Sequence, residues 1–309
     1  MSSAPEPIHT LADLEAWSFS GEALAVVGHP IAHSLSPAMH NDALEELAKT
    51  NSKFQQWHYF KFDIAPDQLG YALKLFHEKK FRGLNLTVPH KLLVMEYLDL
   101  KAQEQFLREM GAANTLKYTS EGWQGYNTDG LGLSTALDED LNLSLKGADI
   151  ILLGAGGAAR AAAVECMSKG CASLWIGNRT EAPRQALLAT LKKSYSLLGD
   201  KPTRLMEFDP NGSLANLPAN SIVINATSLG LKPDDPSPLD LAKIPRPAKV
   251  YDMIYRPPET ALLRQAAQMN ILRANGLSML IHQGARSLEL WTGELAPVNI
   301  MRAAALATH

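Results

Sequence analysis

Two cysteines in 309 residues, Cys166 and Cys171, exclude a disulfide-built fold. Their five-residue spacing suits neither a zinc knuckle nor a redox pair. Both fall in or just after an Ala-rich stretch that reads as helix, so buried free thiols and a reducing, cytoplasmic compartment are expected. No apolar run approaches the ~18 residues that a membrane-spanning helix needs. Residues 1–17 carry Glu6, Asp13 and Glu15 and lack both the basic start and the apolar centre of a secretory signal. An excess of charge is missing too: the formal net charge is −3 and Lys and Arg are scattered, so neither nucleic acid nor a membrane surface is an expected partner. There is no Gly-x-Ser-x-Gly elbow of a hydrolase, no internal repeat and no low-complexity tract. His29, His33 and His40 suggest no metal site, because Pro30 and Pro37 interrupt the helix that would align them.

What is present is the composition of an ordinary globular protein, 46% hydrophobic and 20% charged, at a length that favours two domains. The most informative stretch is Gly154-Ala155-Gly156-Gly157-Ala158-Ala159. The apolar run 149–153 before it reads as a parallel strand, and 158–169 after it as a helix. In such a strand, turn and helix, Gly154 permits the tight turn, Gly156 lets the backbone approach a pyrophosphate, and Ala159 lets helix pack on strand, with the helix N-terminus facing the anion. A dinucleotide-binding unit is the natural reading, and it begins halfway along the chain.

The first half alternates strand-like segments (23–27, 57–63, 83–88, 114–117, 123–126) with helix-like ones (37–48, 66–80, 91–98, 101–110), as an α/β domain with a largely parallel sheet would. A linking helix over 129–140 and a boundary near 130–147 follow. The second half repeats the pattern with strands at 174–177, 204–206, 221–224 and 249–251, loops at 232–238 and 256–259, and an amphipathic helix over 278–292. About twenty residues beyond the glycine turn, where an acid would bind the ribose 2′-hydroxyl of NAD, stand Asn178-Arg179-Thr180, with Arg184 a helical turn further. Arg179 alone could equally be a solvated surface residue. Together with the missing acid it favours the 2′-phosphate of NADP.

Four polar segments precede the glycine turn, each at an expected strand end, where open α/β sheets place ligands. In 28–37, Ser34 and Ser36 could present hydroxyls to a carboxylate, but N-capping by Ser36 ahead of Pro37 is the better local reading. The second segment, Asn85-Leu86-Thr87-Val88-Pro89-His90-Lys91, carries a lysine that is catalytic only if the strand end faces the cofactor. The third and fourth, 111–115 and 125–130, each hold an Asn-Thr pair that turn chemistry alone could explain.

As an ordered set these segments resemble the shikimate dehydrogenase family: Ser-x-Ser-Pro, Asn-x-Thr-x-Pro-x-Lys, Gly-Ala-x-Asn-Thr and Asn-Thr-Asp-Gly occur here in the family's order. The resemblance continues through the glycine turn, Asn178-Arg179-Thr180, 225–230, 251–255 and 276–283, and covers about residues 23–293. It implies an N-terminal α/β substrate domain with a mostly parallel sheet (1–130), a C-terminal Rossmann-type NADP domain (131–275), and C-terminal helices (276–309) returning to the first domain. It implies NADPH-dependent reduction of 3-dehydroshikimate to shikimate, in chorismate and aromatic amino acid biosynthesis. By the same resemblance Ser34 and Ser36 would hold the substrate carboxylate with Tyr255 near it, and Thr87, Asn114, Asp129 and Gln283 the ring hydroxyls. Lys91 and Asp129 would be the catalytic pair. The cofactor would lie on Gly154, Ala155, Gly156, Gly157, Ala158, Asn178, Arg179, Thr180, Thr227, Ser228, Met253 and Gly276.

Two positions depart from the family pattern. Arg184 lies one residue later than the usual arginine, which weakens a phosphate role for it, and Gly284 stands where Ala is usual. A lysine ammonium would meet the negative charge that develops on the carbonyl oxygen, and a nearby aspartate would keep it protonated. The reverse reaction needs a neutral base instead, and the residues do not decide how it arises. A quinate/shikimate dehydrogenase is the nearest alternative. A non-catalytic shikimate sensor is disfavoured because Lys91, Asp129 and the glycine turn are all intact. Monomer and homodimer both stay open.

Overall fold

A computed structural model describes residues 6–194 and 203–307. The chain divides into two compact units, Met1–Thr128 with Ile281–His309, and Asp129–Leu280.

In the first unit the chain runs β1 (Ile8–His9), α1 (Leu11–Glu15), β2 (Glu22–Gly28), α2 (Ser36–Thr50), β3 (Trp57–Asp63), α3 (Leu69–Glu78), β4 (Gly83–Leu86), α4 (His90–Leu93), α5 (Gln105–Met110), β5 (Thr115–Thr119) and β6 (Gly122–Tyr126). The strand order is β1-β3-β2-β4-β5-β6. The first four strands pair in parallel, and β5 and β6 complete the sheet antiparallel. Residues Leu24 to Val27 of β2 are all buried, as expected of a central parallel strand with both faces covered. Phe62, Phe76 and Phe81 pack edge to face on one side of this sheet, with ring centroids 4.8–5.8 Å apart.

The second unit runs α6 (Asp129–Leu141), β7 (Asp149–Leu153), α7 (Gly157–Ser168), β8 (Ser173–Gly177), α8 (Glu181–Ser194), β9 (Arg204–Phe208), β10 (Ile222–Asn225), β11 (Lys249–Asp252), α9 (Ala261–Gln268) and β12 (Leu272–Asn275). Its six strands, in the order β12-β11-β10-β7-β8-β9, are all parallel. This is the doubly wound arrangement whose order reverses at β7, and ligands bind outside the carboxyl ends of the strands at such a point. The boundary between the units falls within α10 (Leu277–Thr292), and α11 (Val298–Ala307) follows and packs on α2.

Several elements differ from their sequence expectation. The helix expected over 91–98 is one α turn, α4, followed by a 3-10 turn at Val94–Glu96, and the helix expected from 101 begins at Gln105. Ser36 does not cap α2: the cap position is Leu35, and the Ser34 hydroxyl instead accepts the Ser36 amide at 3.3 Å. The helix thus starts one residue earlier than capping by Ser36 would require. Among the described residues no group of three or more His, Cys, Asp or Glu is arranged to hold a metal ion. No described helix is long and apolar enough to cross a membrane.

Candidate functional site

In the first unit the polar segments converge on one end of the sheet. β2 and β4 are parallel neighbours, so the turn holding Ser34 and Ser36 and the segment from Thr87 to Lys91 leave from the same end. Because β5 runs antiparallel to β4, Asn114 just ahead of it returns to that end, and its carbonyl accepts the Leu86 amide at 2.8 Å. Lys91 is fixed by its backbone. Its carbonyl accepts the Ala113 amide at 2.9 Å, and the preceding His90 donates from Nε2 to the Ile64 carbonyl at 2.8 Å. Thr87 is half-buried and its amide donates to the Val27 carbonyl at 3.0 Å.

A buried hydrogen-bond network connects this end to α10. The Asn114 side-chain amide donates to Thr128 Oγ1 at 2.9 Å and to Gln283 Oε1 at 3.1 Å, and its oxygen accepts the Thr128 amide at 2.8 Å. Ser287 lies one helical turn beyond Gln283 and donates to its carbonyl at 3.0 Å, while its oxygen is 2.8 Å from Thr115 Oγ1 and accepts from Asn85 Nδ2 at 3.0 Å. Asn85 Oδ1 in turn accepts the Tyr59 hydroxyl at 2.7 Å. Burial holds the Tyr59 phenol well above its usual range, opposed by a hydrogen bond with the buried Ser36. His40 stacks on Tyr59 at 4.1 Å. Its Nδ1 donates to the Ser36 carbonyl at 2.8 Å, and burial pulls the imidazole down to about 4, so the ring is neutral. Asn85 opens the Asn-x-Thr-x-Pro-x-Lys segment, whereas Ser287, Tyr59 and His40 carry no motif that names them. Only the four-residue spacing of Gln283 and Ser287, one helix face, signals that the two act together.

In the second unit the glycine turn joins β7 to α7. Gly154 has φ +112°, and a Cβ there would lie 2.8 Å from the Ala226 carbonyl oxygen. Gly156 is the extended N-cap of α7, and a Cβ there would meet nothing within 4 Å. The exposed backbone at Gly156 and the first turn of a 12-residue helix without an acid make a cradle for an anion. Gly157 and Ala158 are half-buried behind it, and Ala155 is buried. At the end of β8, the Asn178 side chain donates to the Thr180 carbonyl at 2.8 Å, closing the turn that presents Arg179 and Thr180 to solvent. Arg184 turns inward, with one nitrogen on the Asn178 carbonyl and another on Glu207.

The loops after β10 and β11 are tied together by paired residues. Asn225 and Asp252 lie opposite in the parallel register, and Asn225 Nδ2 donates to Asp252 Oδ1 at 2.9 Å. The side-chain oxygen of Asn225 accepts the Thr227 amide and hydroxyl at 3.0 and 2.7 Å, while Asp252 accepts the Ile254 amide at 3.0 Å and the Thr260 hydroxyl at 2.6 Å. Burial pushes the Asp252 carboxyl up to about 6, against the pull of those donors. Thr227 and Ser228 sit on the first loop, Met253 and Tyr255 on the second. Gly276 lies so close to Met253 that a Cβ would fall 2.0 Å from its carbonyl oxygen. Asp129 is buried in the first turn of α6.

An all-parallel sheet with a glycine turn at its reversal point, beside a second unit whose strand ends carry a buried polar network, is the architecture of a two-unit dinucleotide-binding protein. The model of the shikimate dehydrogenase substrate binding domain matches residues 26–116, and that of the shikimate 5′-dehydrogenase C-terminal domain matches 276–306. The chain is 41% identical to the shikimate dehydrogenase (NADP(+)) of Symbiobacterium thermophilum, over 93% of this chain and 94% of that protein. The solved shikimate 5-dehydrogenase of Thermus thermophilus, in complex with NADP(H) and shikimate, aligns with TM-score 0.78 and 34% identity over 93% of this chain and 100% of that one. The ligand-free 5-ketofructose reductase of a Gluconobacter species aligns with the same TM-score of 0.78 at 27% identity, over 94% of this chain and 100% of that one. The chain belongs to the shikimate dehydrogenase family.

Proposed function

We propose that the protein catalyses the reversible, NADPH-dependent reduction of 3-dehydroshikimate to shikimate, as an enzyme of chorismate and aromatic amino acid biosynthesis in the cytoplasm. The observation that carries this reading is the 41% identity to a shikimate dehydrogenase (NADP(+)) over nearly the whole length of both chains.

The reaction adds a hydride to the carbonyl carbon and a proton to its oxygen. NADPH supplies the hydride when bound, and the open backbone at Gly156 ahead of α7 fits its pyrophosphate. Asn178, Arg179 and Thr180 hold the adenosine ribose and its 2′-phosphate, and Thr227, Ser228, Met253 and Gly276 line the rest of the cofactor. Ser34 and Ser36 take the substrate carboxylate with Tyr255, while Thr87, Asn114, Asp129 and Gln283 take the ring hydroxyls. Lys91 and Asp129 form the catalytic pair. The ammonium of Lys91 meets the charge that grows on the carbonyl oxygen, and fixing its backbone in advance reduces the reorganisation needed in the transition state.

Following reduced cofactor spectrophotometrically with shikimate and quinate, each with NADP and NAD, tests the reading. 5-Ketofructose with NADPH is the third substrate, because a reductase of that sugar shares the fold. Shikimate with NADP should give the highest kcat/KM. Faster turnover of quinate with NAD, or of 5-ketofructose, overturns the assignment.

A further inference from the structure

Arg184 sits in the first turn of α8, one turn past the loop that presents Arg179. Its side chain is only 12% exposed. Nε donates to Glu207 Oε2 at 2.9 Å and Nη1 to the Asn178 carbonyl at 2.8 Å. Glu207 lies on β9, opposite Ile176 in the register with β8, so its carboxylate stands beside the chain just before it turns at Asn178. The guanidinium is therefore neutralised by a carboxylate and fastened to the backbone of the very loop it would have to leave to reach a ligand. Arg179, by contrast, is exposed.

We propose that Glu207 sets the nucleotide preference of this site: it holds Arg184 on the Asn178 carbonyl and away from a ribose 2′-phosphate, so that of the two guanidinium groups only that of Arg179 meets the phosphate. The inference rests on the cofactor reading above. A phosphate dianion gains most from two converging guanidinium groups. Here it meets one exposed cation and one cation already paired with a carboxylate, whose own charge opposes the dianion through partly exposed surroundings. Arg184 serves instead as a positioning residue that shapes the Asn178 loop for both phosphorylated and unphosphorylated nucleotides.

The test is calorimetric binding of 2′,5′-ADP and 5′-AMP to the full chain, which needs no turnover. The quantity read is the ratio of the two affinities. Arg179→Ala should bring the ratio close to one. Arg184→Ala should weaken both nucleotides together and leave the ratio in place. Glu207→Gln removes the charge while keeping the shape, and should raise the ratio roughly two- to fivefold, the range expected of one partly exposed charge. If Arg184→Ala collapses the ratio as Arg179→Ala does, Arg184 is a phosphate ligand and the proposal is wrong. It is equally wrong if Glu207→Gln leaves the ratio unchanged or lowers it. Should Arg179→Ala leave the ratio intact, the cofactor reading of Arg179 fails, a result distinct from the other two, and the proposal falls with it. Where Arg184→Ala does not fold, Glu207→Gln decides alone.

Discussion

Asn114 and Gln283 stand 169 residues apart in the chain, and their side-chain amides meet at 3.1 Å. One comes from the loop ahead of β5 and the other from α10, so the position of each amide depends on the other's. Replacing Gln283 by Ala strips the buried Asn114 amide of an acceptor, which costs about 1–3 kcal/mol of stability. The proposed role in binding adds a rise in the KM for shikimate, with the KM for NADP held within about twofold. Equal increases in both Michaelis constants would place Gln283 in scaffolding only.

Lys91→Ala should lower kcat by about 10²–10⁴, the usual scale for a group that meets charge or moves a proton in the transition state. The KM for shikimate should change by only a few-fold. Steady-state kinetics in both directions provide the check, and a variant affected mainly in KM would refute the catalytic role.

Gly154 and Gly156 should respond oppositely to the same substitution. At Gly154, φ +112° and the 2.8 Å approach to Ala226 make Gly154→Ala destabilising by about 1–3 kcal/mol, visible in thermal unfolding. At Gly156 an added methyl meets nothing, so Gly156→Ala should leave the unfolding transition nearly in place. It should instead weaken NADP binding, because the methyl occupies the space proposed for the pyrophosphate. Unimpaired NADP affinity in that variant would count against the cradle.

Asp252 and His40 give the stability opposite pH dependences. Asp252 has its carboxyl raised from 3.8 to about 6 in the fold, so its contribution is most favourable below 3.8 and declines as pH rises to about 6, by about 3 kcal/mol in all. His40 is lowered from 6.5 to about 4, so its contribution is intact above 6.5 and is lost as pH falls towards 4. Between about 4 and 6 the two trends offset. Asp252→Asn removes the first, and relative to the parent it should gain stability steadily from pH 4 to 6 in urea unfolding of the second unit, then level off. A difference that stays constant across that range would show that the carboxyl is not shifted.

The parts of this fold that read clearly in the sequence are those where burial and local geometry agree. The apolar run of β7, the glycines after it and the Ala-rich α7 are found within a residue of their expected bounds. β12 has no such signature: Leu272 and Arg273 are exposed on the edge of the sheet, so no apolar run marks a strand there. The 3-10 turn after α4 and the cap of α2 were hidden for a different reason. Both are settled by backbone geometry within a single turn, which residue spacing along the segment does not encode. At the candidate site, Asn114, Lys91 and Gln283 stand out as members of an ordered set of segments. Ser287, Tyr59 and His40 gain their meaning only from partners far away in sequence. Arg184 stands one residue off the family pattern, and nothing in its own segment announces that it pairs with Glu207, 23 positions later.

The first unit is assembled from Met1–Thr128 and Ile281–His309, whereas the second is one continuous stretch. During synthesis the second unit can therefore complete its own sheet while the first still lacks Gln283, Ser287 and the helix that packs on α2. A polypeptide interrupted after residue 280 would retain every strand of the second sheet, while Asn114 would lose its Gln283 acceptor and Asn85 its bond to the Ser287 hydroxyl. Such a fragment would hold one whole sheet beside a half that lacks the helix covering α2.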